Sequence, residues 1–194
     1  MAVKENRRVR ITRRIFQDAL VELMEEQPLE KITVTDVCQR ADMNRSTFYS
    51  HYRDVSQLLY EMETEVIDQL PMKSEDSENL TSEEYLRQLE AFFRYIQENA
   101  RLFHTLIVQS EGSGFYHRLV NEVLRVTVGG FEETSLQNQY ACSYCVNGVV
   151  GILKDWIGSN FPISAGDFAR IVACMTYNSL RTDGWEPAPE PAEK

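Results

Sequence analysis

The segment from Ile32 to Tyr52, ITVTDVCQRADMNRSTFYSHY, constrains the fold more than any other part of the chain. Thr33 stands before Val34, Val37, Cys38 and Ala41, which fall on one face of a helix, and its hydroxyl suits the open amides of a first turn. One helix is therefore expected from Val34 to Ala41. Asp42 and Met43 break the pattern, and Asn44 offers a cap for a second helix, short and polar on one side. In that helix Phe48 and Tyr52 are four apart and face inward, whereas Arg45, Ser46, Thr47, Tyr49 and His51 spread over the remaining surface. A first turn carrying Arg, Ser and Thr presents groups of the size that reads base edges, and its amide dipoles favour a phosphate anion. Two such helices across a three-residue turn have the layout of a helix-turn-helix DNA reader.

The flanking residues extend the pattern. Ile15, Phe16, Ala19, Leu20 and Leu23 form the apolar face of an opening helix, and a helix capped by Asp54 carries Leu58 and Leu59. With the Thr-Phe-Tyr, His-Tyr and Leu-Leu elements in register, residues 10 to 65 resemble the TetR family of transcriptional regulators. Two positions depart from the family pattern. Asp42 stands at a turn position usually held by Gly; Asp tolerates positive φ better than most residues, so the turn is expected to survive with some strain. Val55 stands where family members often carry a Lys that touches phosphate, and Arg53, two positions earlier, is the candidate substitute. Asp54 and Gln57 fit a variant of the capping box.

A net charge of -10 taken alone argues against nucleic acid, but the acid is unevenly placed. Residues 1 to 60 are close to neutral, and the excess of Asp and Glu lies in the remainder. At the start, Lys4, Arg7, Arg8, Arg10, Arg13 and Arg14 face only Glu5. Residues 1 to 9 read as a flexible basic arm for phosphates or the minor groove, the alternative being a solvated terminus. No apolar run approaches the roughly 20 residues of a membrane span, and no secretory signal pattern opens the chain, so a cytoplasmic protein is expected. Cys142 and Cys145 form a CxxC, but their context is helical, and packing is expected rather than a metal site or a cofactor. No phosphate loop, HExxH or Ser, His and Asp set occurs in motif context, so an enzyme is not expected.

Beyond the reader the patterning is helical throughout, which makes the expected fold all-α. A three-helix DNA-binding domain spans residues 10 to 53, and a helical effector-binding and dimerisation domain spans 54 to 183, opening with a connecting helix over 54 to 70. The polar run PMKSEDSEN reads as a break after that helix. Further helices are expected from Thr81 to Asn99, Arg101 to Gln109, Phe115 to Val128 (stopped by Gly129 and Gly130), Gln137 to Asn160 and Ala165 to Leu180. Residues 184 to 194, rich in Pro and acid, read as a disordered tail. The stretch NGVVGILKDWIGSNFPIS is similar to a TetR subgroup that includes the activator of dihydroxyacetone kinase genes.

The last two helices exceed what one small subunit can hide, which suggests a homodimer built on a four-helix contact, as the family resemblance also implies. Cys145, Gly148, Val149 and Ile152 are its candidate interface residues on the first helix, with Trp156, Ile171, Met175 and Leu180 further along. Such a dimer reads a palindromic duplex. Arg45 and Tyr49 are the leading candidates for base edges, followed by Ser46 and Thr47, with Asn44 at the helix start; Thr33, Thr35, His51 and Arg53 are phosphate candidates. The resemblance further implies a small-molecule effector among the helices of the second domain. Candidate ligand contacts are Met62, Phe92, Tyr95, Phe103 and His104, then Phe115, Tyr116, Tyr140, Tyr144 and Asn147, the last two ranked first as inward positions with a polar handle. The function expected is a homodimeric DNA-binding regulator, a repressor released from its operator by a small ligand; the alternative is control by a protein partner.

Overall fold

A computed structural model describes residues 7–71, 81–109, 114–128 and 136–180. Lys4, Gly129, Gly130, the tail and all but the first residue of PMKSEDSEN lie outside the described residues, as does the side chain of Leu180. Among the described residues there are helices and turns and no strand: α1 (Arg7–Glu26), α2 (Val34–Arg40), α3 (Arg45–Tyr49), α4 (Val55–Asp68), α5 (Ser82–Glu98), α6 (Ala100–Phe103), α7 (Phe115–Val128), α8 (Leu136–Gly158) and α9 (Ala165–Leu180). A 3-10 turn, Leu29–Lys31, precedes α2, and α6 runs on into a π-helical turn, His104–Gln109. α1 begins at Arg7, so the end of the segment expected to be a flexible arm is helical.

Local chemistry sets most of the helix ends. Thr33 and Asp36 form a reciprocal capping box, the Asp36 amide donating to Thr33 Oγ1 at 3.2 Å and the Thr33 amide to Asp36 Oδ2 at 2.8 Å. Thr81 and Glu84 repeat it at α5. At α4 the Gln57 amide donates to Asp54 Oδ1 (2.8 Å), while Gln57 Oε1 reaches back to the Arg53 amide (2.8 Å). Asn44 differs from expectation: its backbone is extended as an N-cap requires, but its side chain makes no capping bond.

Two helices stop on the same device. After α2, the Asp42 amide donates to Gln39 O and the Met43 amide to Cys38 O, with Asp42 at φ 50°. After α8, Asn160 donates to Ile157 O and Phe161 to Trp156 O, with Asn160 at φ 57°. This is a Schellman stop, which needs a left-handed residue just past the helix; Asp and Asn fill that place here instead of Gly. The second stop is fastened by its own hydrophobic contact, the Phe161 ring standing edge-on to Trp156 at 4.7 Å.

Packing then fixes the helices relative to one another. Phe16 of α1 meets Phe48 and Tyr52 at centroid distances of 5.3 and 6.3 Å, and all three are essentially fully buried. This triangle anchors the short α3, whose five residues could not hold a helix by backbone bonds alone. In the second domain α5 lies along α9, with α8 beside it. Phe93, Trp156 and Phe168 fill the seam, the last two rings stacked at 4.5 Å, and Trp156 Nε1 donates to Ile163 O at 3.0 Å.

Candidate nucleic-acid interface

The reader surface follows from which side of α3 the aromatic triangle consumes. Phe48 and Tyr52 are buried, and the helix therefore turns Asn44, Arg45, Ser46 and Tyr49 outward, with Thr47 and His51 half-buried at its flanks. Tyr49 is 55% exposed, its ring held edge-on by Phe48 at 5.7 Å. An aromatic ring thus stands on the surface beside a guanidinium and a hydroxyl, the mixture that base edges and thymine methyls call for.

The phosphate candidates fare differently. Thr35 is half-buried, one residue inside α2. Thr33 is exposed, but its hydroxyl donates to Asp36 Oδ2 at 2.6 Å, and those hydrogen bonds, hydroxyl first and amide second, hold the Asp36 carboxyl below its usual range. An anion therefore occupies the start of α2, which weighs against Thr33 as a phosphate donor. Arg53 is extended into solvent, 84% exposed, with Nε on Asp54 Oδ2 at 3.0 Å. The Gln57 amide and then Arg53 keep the Asp54 carboxyl depressed. Val55 is buried and serves as a packing residue at the start of α4.

The opening basic cluster divides in two. Arg7, Arg8, Arg10 and Arg14 are on the surface of α1. Arg13 turns inward: Nη2 lies 2.6 Å from Glu61 and 2.8 Å from Glu65, both on α4, and Nε donates to the Tyr52 hydroxyl at 3.3 Å. It therefore ties the opening helix to the helix that follows the reader instead of facing DNA. The acids at 61 and 65, one turn apart, were the only trace of this in the sequence. Burial raises the Tyr52 phenol, with Arg13 partly opposing it. Two further arginines clamp the far end of α1, Arg40 on Glu26 at 2.7 Å from α2 and Arg101 on Glu25 at 2.8 Å from α6.

In the second domain the structure brings some of the ligand candidates together: Tyr95 lies edge-on to Phe103 at 5.8 Å, and Phe103 is 6.2 Å from Phe115. Met62, Phe92, Phe103 and Phe115 are buried in the core, and Tyr95, His104 and Tyr116 are half-buried. Tyr95 donates to Gln69 Oε1 at 3.4 Å. The inward placement expected of Tyr144 and Asn147 is reversed. Tyr140 and Tyr144 are 69% and 74% exposed, and Asn147 is on the same outer face, its amide donating to Ser143 O at 2.8 Å. The buried stripe of α8 runs through Cys142, Cys145, Val146, Val150, Leu153, Trp156 and Ile157, which puts 140, 144 and 147 on the far side.

The same phase corrects two interface candidates. Cys145 and Trp156 are buried within the subunit, and Trp156 belongs to the α5, α8 and α9 core. Gly148 is exposed and Val149 and Ile152 half-buried, while Ile171 and Met175 on α9 are 40% and 52% exposed. A Cβ built on Gly148 or Gly151 meets nothing within 4 Å, so neither glycine serves a close approach inside the subunit.

Comparison with known proteins agrees with this architecture. Residues 17–62 match the family model of bacterial regulatory proteins of the tetR family, and residues 83–178 match that of a TetR-type transcriptional regulator C-terminal region. An uncharacterized HTH-type transcriptional regulator, YxbF of Bacillus subtilis (strain 168), is 35% identical over 78 residues, 38% of this chain. That match spans only 20% of the length of the relative. Among solved structures, a TetR transcriptional regulator from Streptococcus agalactiae 2603V superposes with a TM-score of 0.66 at 21% identity, over 88% of this chain and 96% of that one. The dihydroxyacetone kinase operon activator DhaS gives 0.59 at 20% identity over the same shares. The fatty acid degradation regulator FadR from Bacillus halodurans gives 0.61 at 13% identity, covering 92% and 99%. At such identities these structures attest the fold.

Proposed function

The chain belongs to the TetR family of DNA-binding transcriptional regulators, and from that premise we propose that it is a homodimeric repressor, released from a palindromic operator by a small molecule. The observation that carries the reading is the outer face of α3, where Arg45, Ser46 and Tyr49 stand exposed on a helix pinned from behind by Phe48 and Tyr52. In this reading Arg45 and Tyr49 take base edges, and Ser46 and Thr47 lie close behind. Asn44, Thr35, His51, Arg53 and the outward arginines of α1 take phosphates, supplying the salt-dependent part of affinity. Thr33 remains the weakest of the named contacts.

Dimerisation through α8 and α9 supports the palindrome. Tyr144, Gly148 and Gly151 on α8 and Ile171 and Met175 on α9 leave an exposed face of aromatic, apolar and small residues for a second copy. A two-fold axis there sets two reader helices about 34 Å apart, or a multiple of it. A ligand that binds one spacing more tightly shifts the population of the dimer and so its operator affinity. No helix among the described residues is long and apolar enough to cross a membrane, which accords with a cytoplasmic regulator. A second reading, control by a protein partner, is favoured by the exposure of Tyr140 at the outer end of the same α8 face.

Selection of bound sequences from a random duplex pool, at near-physiological salt, tests the proposal. An enriched palindrome with half-sites one or more turns apart supports it; enrichment of a single asymmetric half-site overturns the dimer, and no enrichment by the isolated chain favours the partner-controlled reading.

A further inference from the structure

Glu63 of α4 is buried, with only 4% of its surface exposed, and it forms an ion pair with Arg118 of α7 through Glu63 Oε2 and Arg118 Nη2. One turn earlier on α4, the Tyr60 ring lies over the same guanidinium, 4.5 Å from its central carbon. The flanking residues of the two helices, Met62 and Val66 on one and Phe115 and Leu119 on the other, are buried and apolar. The pair is neutral in charge but incomplete in hydrogen bonding. Glu63 Oε1 and Arg118 Nε are both buried and have no hydrogen-bond partner among the described residues. Buried polar atoms in folded proteins are nearly always bonded, and low surrounding polarity makes each omission expensive.

We propose that the seam between α4 and α7 recognises a neutral small molecule bearing a hydrogen-bond donor beside an acceptor, as in a primary amide or a vicinal diol. Its N–H or O–H donates to Glu63 Oε1, and its oxygen accepts from Arg118 Nε. Charged ligands are selected against. A carboxylate sets a second anion beside Glu63, and an ammonium sets a second cation beside Arg118; either leaves an uncompensated charge in an apolar seam. The inference rests on the small-molecule reading above and names the class of molecule. It also gives the ligand a lever, because Glu63 sits on the helix that directly follows the reader.

The test uses the full chain and follows the Nε–H resonance of Arg118 by nitrogen-15 NMR, assigned by its loss in Arg118→Lys. The probes are propionamide and 1,2-propanediol, with propionate and propylammonium as charged counterparts. The neutral probes should shift the resonance saturably, and the charged ones should bind about tenfold more weakly or worse, the equivalent of one decade in dissociation constant. In Glu63→Gln the pair becomes net positive, and propionate should overtake propionamide. Should that variant not fold, the ranking of the four probes on the unaltered protein decides alone. Equal binding of charged and neutral probes, or no shift with any of them, overturns the inference. Operator affinity measured alongside separates the two readings: a neutral probe that shifts Nε but leaves DNA binding untouched supports the site and overturns release by ligand. Intact operator binding with no shift overturns the site alone.

Discussion

Arg13 of α1 reaches across to Glu61 of α4 at 2.6 Å, joining the first helix of the DNA reader to the helix that carries the reader into the second domain. Glu65, at 2.8 Å, and the Tyr52 hydroxyl also bind Arg13, and Gln17 holds Glu65 from the other side at 2.7 Å. The side chains are a quarter to two-fifths exposed, so solvent screens the charges. The value of the arrangement lies in its several shared hydrogen bonds and in the orientation it fixes.

Arg13→Ala should therefore lower unfolding stability by about 1 to 2 kcal/mol, the range for charge-assisted hydrogen bonds that are partly exposed. DNA affinity should fall for all sequences alike, with the preferred operator unchanged. Denaturant midpoints and binding to two unrelated duplexes check both halves; a changed preferred sequence would instead place Arg13 at the DNA.

Asp42 holds the left-handed position of the stop between α2 and α3. Asp42→Gly should relieve strain and raise stability by about 1 kcal/mol, after allowing for the greater freedom of Gly in the unfolded chain. A chemical denaturation curve with unchanged slope and a higher midpoint is the expected result.

Arg45 and Phe48 are three residues apart and should separate cleanly. Arg45→Ala should cost about 1 to 3 kcal/mol of operator binding and relax preference at one position per half-site, if the guanidinium reads a guanine. Phe48→Ala empties the aromatic triangle and should cost about 3 to 5 kcal/mol of folding stability. Binding titrations on operator variants test the first, thermal unfolding the second.

Met175→Asp combined with Ile171→Asp places charge on the exposed face of α9 without touching the described core. Sedimentation should show a monomer, and operator affinity should drop steeply because one half-site contact no longer assists the other. A dimer that survives both changes would move the interface elsewhere.

Acid should loosen the helix starts. The Asp36 and Glu84 carboxyls are depressed first by the hydroxyls and then by the amides of Thr33 and Thr81, Asp54 by the Gln57 amide and then Arg53, and Glu25 and Glu26 chiefly by the guanidinium bonds of Arg101 and Arg40. For a group with a lowered folded pKa, the stabilisation is full above the unfolded value and is lost as pH falls through the folded one. The ordinary values are 3.8 for the aspartates and 4.5 for the glutamates, so stability should hold above pH 4.5 and decline below it. Asp54→Asn keeps a capping oxygen without the titration, and its acid-induced loss should be the smaller when midpoints are compared across pH.

Much of this was legible in the chain itself. The Thr33 and Asp54 caps and the pairing of Asp54 with Gln57 lie within three residues, and the inward Phe48 and Tyr52 are four apart; such contacts are settled within a turn of helix, so spacing alone reveals them. Even the left-handed Asp42 follows from its place one residue past a helix end. What sequence left undecided is the phase of α8. Its residues are apolar or aromatic on nearly every side, so periodicity could not say whether Tyr144 and Asn147 or Cys145 and Trp156 face inward. Packing against α5 and α9 chose the second pair. The partners of Arg13 and Arg118 lie 48 and 55 residues away, and no local rule selects one carboxylate among many. Short-range geometry determined the helices and the reader surface; long-range packing decided which polar groups the core would hold and which face of α8 was left exposed.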